Sequence, residues 1–330
     1  MTWSFFASLT LQAAAPPPTL DLPVACRLPE RCVIQKLVDH APGPERQDAR
    51  CGMLTTDGHK GTDIRLRRYS DMAGPPVPVL AAAAGRVARV RDGVADADVR
   101  QTGPEAVGER QAGNAVVIEH PGGWETQYSH LRQGSVLVRP GQVVEAGAPV
   151  GAVGMSGLAE FPHLHFELRR AGGQAIDPFT GTAADERVAC GAPGRPLWRD
   201  AAGSRQWVRP NEIVAVGFAD RADAVEAARR ATLPLPLAPD PAALVGWADV
   251  AGLIDGTVER LELIGPEGRP VVTRERRLER GSLSWFSFAG RPRPAGGWPA
   301  GEYRLRYLLN LNGDTRTAEA AVRIGGPTTP

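Results

Sequence analysis

PHLHFEL, residues 162–168, has the strict alternation of a β-strand. In a strand, side chains two apart share a face. His163 and His165 therefore point one way, while Leu164 and Phe166 point into a core. Two imidazoles side by side are costly to bury without partners. Metal ligation, or shared acid–base work, would supply those partners.

Outward from this stretch, short apolar runs recur at 77–80, 85–90, 115–119, 125–128, 135–138, 149–153 and 164–168. Turn signals such as Pro121-Gly122-Gly123 and Pro140-Gly141 separate them, so all seven are expected as strands. A polar stretch without apolar period, 91–113, is expected as a surface insert. It would serve either as the rim of a site or as solvated decoration. Residues 191–209 are linker-like, and 219–231 is the best helix candidate. A second β-rich region follows. Tyr303, Leu305, Tyr307, Leu309 and Leu311 alternate, Asn312-Gly313 makes a hairpin turn, and Ala318, Ala320, Val322 and Ile324 alternate again. The fold class expected is mainly β, with two domains, the second a small β-sandwich of immunoglobulin-like architecture.

Composition agrees and sets exclusions. The chain has 330 residues, with 38 Gly and 30 Pro, about a fifth of the total. That is below the ~25–30% share that marks disorder. A formal net charge of +1 gives no case for nucleic-acid binding. Lys36 and Lys60 are the only lysines, every other basic residue being Arg. No stretch approaches the ~18 apolar residues of a membrane span. Residues 1–15, MTWSFFASLTLQAAA, resemble a secretory signal, although no Lys or Arg precedes the apolar stretch. Export to the periplasm or cell envelope is therefore expected, and with it two disulfides among Cys26, Cys32, Cys51 and Cys190. Of the three connectivities, Cys26–Cys32 with Cys51–Cys190 is preferred, because it staples the N-terminus locally.

Three motifs carry the chemistry. GHKGTD, residues 58–63, puts His59, Gly61 and Asp63 on one face if it is a strand, with Gly61 leaving room for a metal. A plain His–Asp hydrogen bond would use the same residues. YSHL, residues 128–131, brings His130 and is uninformative alone. PHLHFEL brings His163 and His165. His59, Asp63 and one of these two histidines make a set of two nitrogens and one oxygen. A fourth position is then left for water, the arrangement of a catalytic zinc. The remaining two histidines can accept a proton and stabilise an oxyanion. His40 precedes Ala41-Pro42 in a loop, His120 is expected at the surface, and neither is assigned to the metal.

On these three motifs the chain resembles the LytM/lysostaphin-type zinc metallopeptidases, the M23 peptidase family. AAAAGRV, GNAVVIE, VLVRPGQVVEAGAPVG and GMSG agree in order and spacing, so the resemblance covers roughly residues 50–180. It implies an antiparallel β domain with an open groove and one zinc ion (Zn2+) per chain. It also implies His59, Asp63 and His165 as ligands, and His130 and His163 as the catalytic pair. The implied substrate is peptidoglycan, cut at cross-links or stem peptides. The layout expected is a signal at 1–15, the peptidase domain at 16–195, a linker at 196–209 and the β-sandwich at 210–330. The chain departs from the family at Glu160-Phe161, where Ser or Thr followed by Gly is common. No Tyr lies upstream of the HxxxD motif to fill that family role. Two other readings compete. A non-enzymatic regulator on the same fold would activate a separate wall hydrolase, but such members usually lack some of the five site residues. A lipoyl-like carrier needs an acceptor Lys on its hairpin, and no Lys follows Lys60.

Overall fold

The protein is described here from a computed structural model, for residues 15–170, 172–184, 186–189, 194–231 and 237–325. The N-terminal apolar stretch expected as a signal lies almost wholly outside them. The chain is mainly antiparallel β, as expected. The largest sheet runs in the order Cys32–Lys36, Thr62–Leu66, His163–Arg170, Trp124–Leu131, Asn114–His120, Gly85–Arg91 and Val143–Val144. Ala175–Ile176 pairs off His163–Arg170, and Pro78–Leu80 pairs separately with Pro149–Ala152. Alternation sets which face is dry. Trp124, Thr126 and Tyr128 are buried on one face with Leu164, Phe166, Leu168, Ile64, Val116 and Ile118. Burial of each large apolar side chain contributes ~1.5–3 kcal/mol. The opposite face of the three central strands is left to the polar residues.

Residues 135–138, expected as a strand, form none. Val138 is buried, but Leu137 is 63% exposed, and the Leu137 N–H to Val150 O bond is a single tie rather than a ladder. The Cys26–Cys32 disulfide is present. Cys51 is disulfide-bonded too, and its expected partner Cys190 lies outside the described residues.

The C-terminal strands make two sheets. Glu212–Ala219, Ala243–Leu253 and Ser282–Pro292 form one. Pro270–Arg277, Val258–Ile264, Gly301–Leu311 and Asp314–Ile324 form the other. Val250 and Leu253 of the first share a core with Leu261, Leu305, Tyr307 and Leu309 of the second, so the sheets pack as a sandwich. Asn312 and Gly313 both have positive φ, as the expected two-residue hairpin requires. The helix expected at 219–231 is Val225–Arg230, entered through a 3-10 turn at Ala222–Ala224, and Ala219 belongs to the preceding strand.

The stretch 196–209 is more than a bare connection. It contains the helix Ala201–Trp207, while Trp198 and Val208 pack in the core of the large sheet. The sandwich also closes on the large sheet through buried charge. The Arg65 guanidinium is buried between Gln35 Oε1 (2.8 Å), Asp249 Oδ2 (3.4 Å) and the Phe161 ring (4.6 Å). Arg229 reaches the same Asp249 at 3.0 Å, and Arg230 reaches Asp98 at 2.9 Å.

Candidate metal centre and its groove

The register of three strands assembles the site. Asp63 lies opposite His165, Arg65 opposite His163, and Ser129 opposite His165. Paired residues share a face, so Asp63, His163 and His165 rise together from the polar side of the sheet. His130 follows Ser129, and ordinary alternation would send it into the core. Its φ of 60° is left-handed and turns it back toward the same face. A non-glycine residue held there stores about 1–3 kcal/mol of strain, typical of functional positions.

His59 arrives differently from the expectation. The strand begins only at Thr62, so His59 reaches in from the preceding turn. Gly61 does not leave an empty space. A Cβ there would stand 2.7 Å from His165 Cε1 and Nε2, so the glycine makes room for the His165 ring itself.

The four imidazoles converge. Asp63 Oδ1 lies 3.1 Å from His59 Nε2, 2.9 Å from His165 Nδ1 and 3.7 Å from His163 Nε2. The His130 ring stacks 4.6 Å from that of His163. Backbone carbonyls set the tautomers. His59 Nδ1 donates to Leu37 O (2.7 Å), His130 Nδ1 to Ser156 O (2.8 Å) and His163 Nδ1 to Phe161 O (2.8 Å). Each ring therefore keeps its Nε2 lone pair.

Electrostatics separate the group. Burial works against the Asp63 carboxylate, but the neighbouring His59 and His163 and the hydrogen bond from His165 outweigh it and hold it well below the usual range. Burial, then the neighbouring His163 and His165, holds His130 well below an ordinary imidazole. Burial likewise lowers His163 to about 4. For His165 burial also opposes charge, yet Asp63 and Glu167 overcome it and raise the ring to about 9. At neutral pH two neutral imidazoles thus face one carboxylate cluster.

One donor atom each from His59, Asp63 and His165 lie within 4.8 Å of one another. Two imidazole nitrogens and a carboxylate oxygen, with a carbonyl orienting one ring from behind, are a donor set suited to zinc. The five expected residues all line one groove of about 630 Å³. The 91–113 stretch forms its rim, for Val99, Gln111 and Ala112 line it. Glu160 and Phe161, the departure noted in the sequence, are part of its wall.

Of the remaining histidines, His120 corrects the surface reading, while His40 lies in a loop as expected. His120 is buried, with Nδ1 donating to Ala84 O (2.8 Å) and Nε2 2.9 Å from Thr126 Oγ1. His40 is buried between Asp177 Oδ2 (3.1 Å) and Glu186 O (3.0 Å). Lys36 and Glu167 are groove residues that motif spacing missed. For Lys36 a signal existed in its being one of only two lysines.

Parts of this chain are similar to known proteins. The cell division protein DipM of Caulobacter vibrioides is 33% identical over 119 residues, 36% of this chain and 17% of DipM. The peptidoglycan DD-endopeptidase ShyB of Vibrio cholerae is 44% identical over 57 residues, 17% of this chain and 13% of ShyB. The murein hydrolase activator EnvC of Escherichia coli is 44% identical over 66 residues, 20% of this chain and 15% of EnvC. The chain thus spans less than a fifth of the length of each of these relatives. A sequence model described as peptidase family M23 matches residues 57–178, which include Asp63 and all four groove histidines. Over residues 57–178 the chain is therefore similar to peptidase family M23.

Proposed function

We propose that the protein is a zinc-dependent endopeptidase that hydrolyses peptide bonds of peptidoglycan. One observation carries the reading: a single carboxylate oxygen, Asp63 Oδ1, gathers three imidazoles at the floor of an open groove. His59, Asp63 and His165 would hold the zinc. When bound, zinc supplies a Lewis acid that polarises a carbonyl and makes water a better nucleophile near neutral pH. His130 and His163 stay neutral at neutral pH and keep Nε2 unprotonated, so either can take a proton and return it to the leaving amine. Ser156 O and Phe161 O keep those rings oriented through Nδ1. On this reading residues 16–195 are the peptidase unit and 210–330 an accessory, immunoglobulin-like β-sandwich. The apolar leader sends the protein to the periplasm or envelope. Among the described residues no helix is long and apolar enough to cross a membrane.

The test is zinc content with wall digestion. Purified protein should carry about one zinc per chain and release cleaved muropeptides, which mass spectrometry identifies. Protein that holds no metal and cuts nothing would overturn the reading. The similarity to EnvC favours a second reading, an activator of a separate wall hydrolase. Stoichiometric zinc without any cleavage would favour that one.

A further inference from the structure

Both lysines of this Arg-rich chain, Lys36 and Lys60, line the groove. Lys36 is placed there by a defect in the sheet. Its strand pairs Ile34 with Ile64, then Lys36 with Asp63, so Gln35 is an extra residue, a β-bulge. Without the bulge Gln35 would stand opposite Asp63. With it, Lys36 does, which is how bulges beside sites re-aim a side chain.

The ammonium is underused. It meets Asp63 Oδ2 at 3.5 Å, the oxygen turned away from the imidazole cluster, and lies 5.9 Å from the Phe161 ring. Among the described residues it makes no hydrogen bond, although an ammonium has three donors. Its side chain is 20% exposed, enough to meet a ligand in the groove. An Arg would present a broad planar fork, whereas Lys presents a compact point charge.

Position gives the subsite. Lys36, Asp63, His165 and Ser129 form one row across four neighbouring strands. At ~4.8 Å per strand, the Lys36 backbone stands roughly 10 Å from the His165 strand, but its ammonium reaches back to 3.5 Å from Asp63 Oδ2. An extended peptide advances ~3.3–3.6 Å per residue. A group held by the ammonium thus belongs to a residue within about one or two of a bond cut over Asp63 and His165.

We propose that Lys36 is a carboxylate subsite, so that the groove takes peptides bearing a free carboxylate beside the scissile bond rather than a carboxamide or an uncharged bridge. This rests on the endopeptidase reading and narrows its substrate class.

The test uses two cross-linked peptides that differ only in a free carboxylate or a carboxamide next to the scissile bond. It uses the full chain as wild type, Lys36→Met and Lys36→Arg, with zinc content measured for each. Wild type should prefer the carboxylate peptide. Lys36→Met should lose tenfold or more in kcat/KM on that peptide, mostly in KM, and less than threefold on the carboxamide. Its zinc content should not change, and Lys36→Arg should restore part of the preference. Calorimetric binding of matched uncleavable peptides gives a readout independent of turnover. Equal losses on both peptides, or loss of zinc in Lys36→Met, would overturn the proposal and make Lys36 a support for Asp63. If wild type cleaves neither peptide yet binds the carboxylate form better, and Lys36→Met abolishes that difference, the endopeptidase reading fails while the subsite stands. Binding that ignores the carboxylate overturns the subsite.

Discussion

Two His–Asp contacts of nearly equal length sit in different parts of this molecule. His40 and Asp177 are 3.1 Å apart, and His165 and Asp63 are 2.9 Å apart. The first pair is closed. Both side chains are fully buried, His40 spends its other nitrogen on Glu186 O, and Asp177 Oδ1 accepts from Phe179 N. The second pair is open. Asp63 Oδ1 is shared among three imidazoles, and the His59 and His165 side chains keep 10% and 16% exposure toward a groove. The residue types are the same. What separates a structural ion pair from a candidate metal site is how many donors crowd one oxygen and whether a ligand can reach them.

The comparison breaks most readily at His165. His165→Ala should reduce bound zinc from about one per chain to near none and take muropeptide release to background, by elemental analysis and wall digestion. His40→Ala should keep its zinc, and a variant that sheds it would erase the distinction. His130→Ala comes next. It should retain zinc but lose about 10²–10⁴-fold in cleavage rate, the usual worth of a general acid–base group.

His40→Ala should act on stability instead. Removing one partner of a buried pair strands the other charge, at a cost of about 3–5 kcal/mol, read from the urea midpoint. A smaller effect is proton release. His165 is raised to about 9, so zinc binding at pH 7 should displace about one proton. Calorimetry in buffers of different ionisation enthalpy measures it, and zinc affinity should weaken as pH falls.

The smallest effect concerns pH and stability at His40. Burial opposes its charge, but the hydrogen bond and charge of Asp177 outweigh it and raise its pKa. Its stabilisation is therefore complete below the unfolded value of about 6.5 and fades as pH rises through the folded value. Urea midpoints should fall between pH 5.5 and pH 8.5 in wild type, and less in His40→Gln.

Much of this was legible in the sequence. Alternation in 162–168 correctly sent Leu164 and Phe166 into the core and the two histidines to the other face. The same logic failed for 135–138, and at His130 alternation alone would have misled. The first has no partner strand, and a left-handed φ reverses alternation at the second. The strand reading of GHKGTD failed as well, since His59 comes from a turn and Gly61 accommodates a ring. His120 read as a surface residue, and the burial of the loop residue His40 was not legible, because their partners, Ala84 and Asp177, are 36 and 137 residues away.

By itself the sequence determined the β class, the turns and the shortlist of histidines with Asp63. These depend on side-chain period and on residue chemistry, which are local. Only the tertiary structure decided that three imidazoles share one oxygen, that carbonyls fix the tautomers of His59, His130 and His163, and that a bulge turns Lys36 into the groove. His165 and Asp63 meet across 102 residues of chain, and such a contact follows from strand register in three dimensions. The C-terminal sandwich, in which the sequence showed no chemistry, closes on the same face through Asp249 and Arg65. A buried guanidinium becomes tolerable only once the fold supplies its carboxylate.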